Sequence, residues 1–193
     1  MNKGRKIVIA IFLLTIKIVS AQKGFTKDFF SIHLSTLENK NFTTDEMKAN
    51  KISVIVFLLP DCPSCQSYSL TLNELSSKFK SSGIAFYGVF PGHYNTQEEM
   101  NEYKNTYHIN FLLLKDPDKV LVKNLNAKIT PEAFVIDNAG NILYRGRIDD
   151  WMYAVGKKKP SVTTHELQDA LTAVSQHRVI KVKETKAIGC IIE

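Results

Sequence analysis

The sequence predicts an α/β fold with a central mixed β-sheet flanked by helices. Two features lead there. Short apolar runs rich in β-branched residues alternate with segments of helical spacing through the middle of the chain, the signature of a βαβ unit. Two further strand-like runs then flank a turn-rich link, which reads as an antiparallel hairpin, and an amphipathic helix closes the pattern.

Ile52-Ser53-Val54-Ile55-Val56-Phe57-Leu58-Leu59, closed by Pro60, reads as a buried central strand. A helix follows, since Tyr68, Leu72, Leu75 and Phe79 recur at spacings of four, three and four, and Pro63 suits a first helical turn. Ile84–Phe90 is the second strand. The polar segment from Asn95 to Tyr107 keeps helical spacing at Met100, Tyr103 and Tyr107, with Asn95 or Thr96 able to cap it. Phe111–Leu114 is a short apolar run, and Asp116-Pro117-Asp118 opens a brief helix to about Leu125. Ala133–Ile136 and Ile142–Arg145 flank Asp137-Asn138-Ala139-Gly140-Asn141 as a hairpin, and Thr164–Val174 is the closing helix with Leu167, Leu171 and Val174 in register.

At the amino terminus Lys3, Arg5 and Lys6 precede apolar Ile7–Ile16, and Val19-Ser20-Ala21 offers a cleavage site after Ala21. Residues 1–21 therefore read as an export signal, and residues 22–193 as one domain. The apolar core is too short to span a bilayer comfortably and Lys17 interrupts it, so the mature protein is expected to be periplasmic or secreted rather than integral to a membrane. Removing the signal takes away four basic and no acidic residues and lowers the formal charge from +6 to +2. Only Lys157-Lys158-Lys159 clusters basic charge, which reads as a solvated loop and gives no basis for nucleic-acid binding.

The chemistry is concentrated in Asp61-Cys62-Pro63-Ser64-Cys65, where a buried strand hands over to a helix. Cys62 sits at the helix entrance, where unpaired N–H groups and the helix dipole favour a thiolate and lower a thiol pKa from about 8.5 to roughly 3.5–7.5. Cys65 falls on the apolar stripe. One helical turn brings residues at this spacing within about 5–6 Å, close enough for a disulfide. The sequence thus predicts Cys62 as attacking thiol and Cys65 as resolving thiol. No second C-x-x-C and no paired histidines at ligand spacing accompany them, with His33, His93, His108, His165 and His177 scattered, so a zinc site is not expected. No glycine-rich phosphate loop appears, and no organic cofactor is called for.

A strand ending in C-P-x-C, Thr130-Pro131 immediately before the next strand, and a hairpin followed by a helix resemble the thioredoxin-like superfamily in its exported redoxin branch. The likeness covers about residues 25–193, with Phe29–Leu34 as an added amino-terminal strand. Thr130–Asp137, Tyr144–Asp150 and Thr185–Ile192 are similar to bacterial envelope redoxin-domain proteins of the thioredoxin and alkyl-hydroperoxide-reductase (AhpC/TSA) type. The resemblance implies a cis bond before Pro131, close to the C-x-x-C, and a main-chain edge at Thr130 and Pro131 that pairs with an extended substrate peptide.

Two departures from relatives bear on mechanism. The buried acid that thioredoxin carries six residues before its first cysteine is Val56 here, leaving Asp61, Glu132, Asp149 and Asp150 as candidate proton carriers, each read first as a solvated surface acid. The threonine that peroxiredoxins place three residues before their reactive cysteine is Leu59 here, which breaks the peroxide-binding pattern. Cys190, in Gly189-Cys190-Ile191-Ile192, reads as part of a small packed strand. It is either simply buried, or a third thiol that resolves disulfides or ligates copper(I) or zinc beside Cys62 and Cys65. The expected activity is thiol–disulfide exchange with protein thiols and disulfides, coupled to an electron donor or acceptor. A thiol peroxidase and a copper or zinc metallochaperone are the alternatives.

Overall fold

In the computed structural model, which describes residues 29–193, the chain enters through a 3-10 turn, Phe29–Ser31, before β1 (His33–Thr36) and β2 (Asn41–Thr43). The predicted signal 1–21 and residues 22–28 of the predicted domain lie outside the described residues. The strand expected from Phe29 begins only at His33. The preceding residues coil so that Phe29 is buried and its carbonyl accepts a hydrogen bond from the Thr44 hydroxyl.

The elements that follow are β3 (Ile52–Phe57), α1 (Pro63–Phe79), β4 (Ile84–Pro91), α2 (Gln97–Thr106), β5 (Leu112–Asp116), α3 (Val120–Leu125), β6 (Ile129–Thr130), β7 (Glu132–Asp137), β8 (Ile142–Gly146), β9 (Met152–Ala154), β10 (Lys157–Lys158), α4 (Glu166–Ser175) and β11 (Cys190–Ile191). Seven strands form one sheet in the order β2-β1-β5-β4-β3-β7-β8. β3, β4 and β5 run parallel, while β7, β8, β1 and β2 join antiparallel, so the sheet is mixed as expected.

Strand alternation divides the core. Val54, Val56, Phe86 and Val135 face Tyr68, Leu72 and Leu75 of α1, Met100 and Tyr103 of α2, and Leu167 and Leu171 of α4. Ile55, Phe57, Val89, Phe134 and Ile136 face the other way, onto Leu121 and Leu125 of α3 and Phe29 and Met47 of the amino-terminal turns. Burial on both faces is why Ile52–Phe57 reads as an almost wholly apolar run, broken only by buried Ser53, rather than an alternating one.

Helix starts follow local hydrogen bonding. Thr96 and Glu99 form a capping box at α2: the Thr96 hydroxyl accepts from the Glu99 N–H at 3.2 Å and the Glu99 carboxylate from the Thr96 N–H at 2.7 Å. α3 starts at Val120 instead of near Asp116. Asp116 ends β5, and its carboxylate accepts from the N–H groups of Val120 at 2.7 Å and Val122 at 3.0 Å, capping the helix from the strand. α4 starts at Glu166 rather than Thr164 because the Thr163 and Thr164 N–H groups are drawn to the Asp150 carboxylate at 2.8 and 3.0 Å.

Beyond α4 the chain returns along the sheet. The Arg145 N–H donates to the Lys183 carbonyl at 2.9 Å and the Thr185 N–H to the Arg145 carbonyl at 3.0 Å. Gly146, at φ 136°, allows that approach, since a Cβ there would lie 2.2 Å from the Thr185 hydroxyl oxygen. The tail then crosses to β6, where β11 pairs antiparallel with Cys190 opposite Thr130 and Ile191 opposite Ile129. Among the described residues no helix is long and apolar enough to cross a membrane.

Leu72, fully buried at the centre of the α1 face, gives a test of this packing. Leu72→Ala is expected to lower unfolding free energy by about 2–5 kcal/mol, read as a fall in the urea midpoint at constant slope.

Candidate functional site

The site lies where β3 ends. β3 pairs antiparallel with β7, with Phe57 opposite Glu132, so the residues following β3 stand beside Thr130 and Pro131, which precede and open β7. Cys62 is the N-cap of α1, with Pro63 in the first turn. The Thr130–Pro131 bond is cis, as the family resemblance implied. The Cys62 sulfur sits 3.4 Å from the Thr130 carbonyl oxygen.

Cys62 is bonded to Cys190, with the two Cα atoms 6.1 Å apart, within the usual span of a disulfide. Cys65 is a free, buried thiol. The bridge that the sequence spacing suggested, Cys62–Cys65, is therefore not the one formed in this state. The reason is that β11 carries Cys190 onto β6 directly beside the Cys62 sulfur, whereas the Cys65 sulfur is turned into the apolar cluster and accepts the Leu59 N–H at 3.4 Å. The tail does fold back to the C-x-x-C, and Cys190, though partly exposed, is committed to it.

Burial pushes the Cys65 thiol up from 9.0 to about 12, opposed by the Leu59 N–H and the Thr130 side chain and assisted by the Asp61 charge. Around it, the Cys65 carbonyl accepts from the Ser69 hydroxyl at 3.0 Å and the Tyr103 hydroxyl at 3.2 Å, which fixes the first turn of α1 to α2.

Of the four candidate acids, Asp61 is exposed at the lip of the site, as expected. The other three are buried braces rather than surface acids. Glu132 accepts from the Lys128 N–H at 3.0 Å and pairs with Arg145 at 3.2 Å. Asp149 accepts from the Tyr68 hydroxyl at 2.6 Å and the Trp151 N–H at 2.9 Å, and burial together with this carboxylate pushes the Tyr68 phenol up. Asp150 binds Lys159 and the Thr163–Thr164 turn. The sequence could not show this, because each partner is remote or set by a loop.

A cleft of about 520 Å³ opens over the disulfide, walled by Leu59, Asp61, Tyr94, Val155 and Ile191. Sequence reasoning missed how the tail is held at this cleft. Tyr94 and Lys119 donate from their side chains to the Glu193 main-chain oxygen, the former at 2.5 Å, and Gly189 permits close contact between tail and edge. Gly189, two residues beyond Ala187 in an otherwise aliphatic tail, was the available signal. Among the described residues no three His, Cys, Asp or Glu side chains gather at metal-binding reach.

A protein-family model described as the AhpC/TSA family matches residues 26–145. No curated protein sequence matches the chain. Among solved structures, a hypothetical protein from Sinorhizobium meliloti 1021 is similar at 24% identity and TM-score 0.75, over 83% of this chain and 89% of that one. A secreted Mycobacterium tuberculosis disulfide oxidoreductase homologous to Escherichia coli DsbE is similar at 18% identity and TM-score 0.59, over 77% and 99%. Xanthomonas campestris peroxiredoxin Q is similar at 18% identity and TM-score 0.58, over 80% and 96%. These likenesses establish the thioredoxin-like fold.

The raised Cys65 thiol has a measurable consequence. A group held protonated by the fold adds stability that is fully present below 9.0 and is lost as pH rises towards about 12. In oxidised protein labelled with ¹³C-cysteine, the Cys65 Cβ shift is expected to stay at its thiol value up to pH 10. Titration near pH 9 would show that burial does not hold the proton.

Proposed function

We propose, since the chain belongs to the AhpC/TSA family, that it is an exported thiol–disulfide oxidoreductase acting on protein thiols and disulfides. One observation carries this reading: the helix-entrance sulfur of Cys62 is bonded to a cysteine on an extended strand paired with β6 beside Pro131. That is the arrangement a mixed disulfide with a substrate peptide requires, here formed within the chain. The basic and apolar amino terminus supports export.

The chemistry follows from the unequal environments of the two α1 sulfurs. Released from Cys190, Cys62 is favoured as a thiolate by the free N–H groups and dipole at the start of α1. It attacks a substrate disulfide; a Cys62–substrate bond forms and the other half leaves as thiolate. Cys65 then gives up its proton and attacks the Cys62 sulfur, which breaks the mixed disulfide, frees the substrate thiol and leaves Cys62–Cys65 oxidised. Because burial holds the Cys65 proton, this second step is the slower one near neutral pH. Run in reverse, the same steps oxidise a substrate dithiol. Thr130 and Pro131 supply the docking edge, and a separate thiol or disulfide partner closes the cycle.

Peroxide reduction is the second reading, favoured by the family and by the bond between Cys62 and a distant cysteine. Against it stands Leu59, a buried aliphatic side chain where a peroxide-orienting hydroxyl belongs. A metal-carrying role has less support, since in this state two of the three sulfurs are spent in a disulfide and the third is a neutral thiol.

The test is a redox titration of the mature protein with peptide mapping of each disulfide, run alongside insulin-disulfide reduction. Cys62→Ser is expected to reduce turnover to background. Cys65→Ser combined with Cys190→Ser, which removes the other sulfur within reach of Cys62, should retain the first step and accumulate a substrate bonded through Cys62. Rapid sulfenic acid formation at Cys62 with hydrogen peroxide, without insulin reduction, would favour the peroxidase instead.

A further inference from the structure

We propose that the tail is a built-in template of the substrate, so that the docking edge selects extended segments of the order apolar, glycine, cysteine, any residue, apolar. The inference rests on the oxidoreductase reading and names the peptide chemistry that reading leaves open.

Each position of the template has a physical reason. Cys190 lies opposite Thr130 in the β6–β11 ladder, which sets the register that delivers a sulfur to Cys62. The residue before it must lack a side chain: a Cβ on Gly189 would stand 2.0 Å from the Thr130 carbonyl oxygen and 2.8 Å from its carbon. Thr130 is wholly buried, so the obstructing atoms are main chain that cannot swing aside. Ile188 packs against the cluster that contains Cys62 and Cys65, and Ile192 against the cluster on the opposite face of the sheet. The Ile192 N–H also donates to the Lys128 carbonyl at 2.9 Å, which extends the ladder. Ile191 between them is 71% exposed and makes no comparable demand. Two apolar anchors, a glycine and a main-chain ladder therefore define the selection, and one position stays free.

For a peptide whose cysteine is joined to glutathione, the Cys62 thiolate attacks the peptide sulfur and glutathione leaves as thiolate. Cys65, having lost its proton to solvent, then attacks Cys62 and releases the peptide as a thiol. The Cys62–Cys65 pair is oxidised by two electrons and the peptide–glutathione disulfide is reduced by two.

The experiment uses reduced, full-length protein carrying Cys190→Ser, so that the tail competes equally with every peptide but cannot bond to Cys62. The probes are glutathione mixed disulfides of the octapeptide Lys-Ala-Ile-Gly-Cys-Ile-Ile-Glu and three single replacements. Valine for glycine is expected to lower kcat/KM about tenfold or more, the equivalent of losing one or two main-chain hydrogen bonds. Aspartate for the last isoleucine before glutamate should do likewise, while aspartate for the isoleucine that directly follows cysteine should change it less than about threefold, as at an exposed position. Equal rates for all four peptides would overturn the template while leaving the exchange reaction standing. No exchange with any peptide, and none with insulin, would overturn both.

Discussion

The antiparallel pairing of β3 with β7 is the constraint on which the site depends. It sets Val56 opposite Ala133 and Phe57 opposite Glu132, and so places the end of one strand, where Cys62 follows, next to Thr130 and Pro131. Cys62 and Thr130 are 68 positions apart in sequence. Both strands are buried on their two faces by the helix clusters, and the register is held because a slip of one residue would exchange every side chain between the two cores. The proximity of sulfur and docking edge is thus a by-product of core packing rather than of contacts within the site.

Within that frame the three sulfurs differ in their surroundings, although Cys62 and Cys65 are both buried. Cys62 stands at a helix entrance, Cys65 one turn on is sealed in apolar surroundings, and Cys190 arrives on a two-residue strand at the surface. Burial pushes the Cys65 thiol up, whereas a helix entrance as such favours negative charge.

Most of the sheet was legible because strands buried on both faces are largely apolar, as in Ile52–Phe57 with Ser53 the one exception, and because α1 repeats its apolar residues at helical spacing. The starts of α3 and α4 were misplaced by a few residues, since Asp116 and Asp150 redirect main-chain N–H groups that local spacing assigns to a helix. The C-P-S-C was plain in the sequence, and the cis bond before Pro131 came only through family resemblance. The Cys62–Cys190 partnership was legible only as one of the alternatives for Cys190, beside simple burial. It spans 128 positions and depends on a ladder of two residues at each strand, too short to leave a periodic signal. Likewise, no local pattern marks Glu132, Asp149 and Asp150 as braces, because partners come from elsewhere in the chain: Arg145 on β8, Tyr68 on α1 and the Lys159–Thr164 segment.

The tail also has an energetic consequence for any partner. A segment tethered to the fold meets the edge at an effective concentration on the order of millimolar, so an external peptide must displace an occupant that is always present. The disulfide strengthens that occupancy while Cys62 is oxidised and ceases to do so once it is reduced. The Arg145–Lys183 and Arg145–Thr185 main-chain bonds and the contacts to Glu193 hold the tail on both sides of Cys190, so breaking the sulfur bond need not free the whole segment. Besides those contacts, the β6–β11 ladder and the Ile192–Lys128 bond hold it at the edge, at about 0.5–1.5 kcal/mol per hydrogen bond, together with partial burial of Ile188 and Ile192. Loss of the disulfide therefore turns a covalent block into a modest competition, which is the condition under which peptides resembling the tail gain access to Cys62.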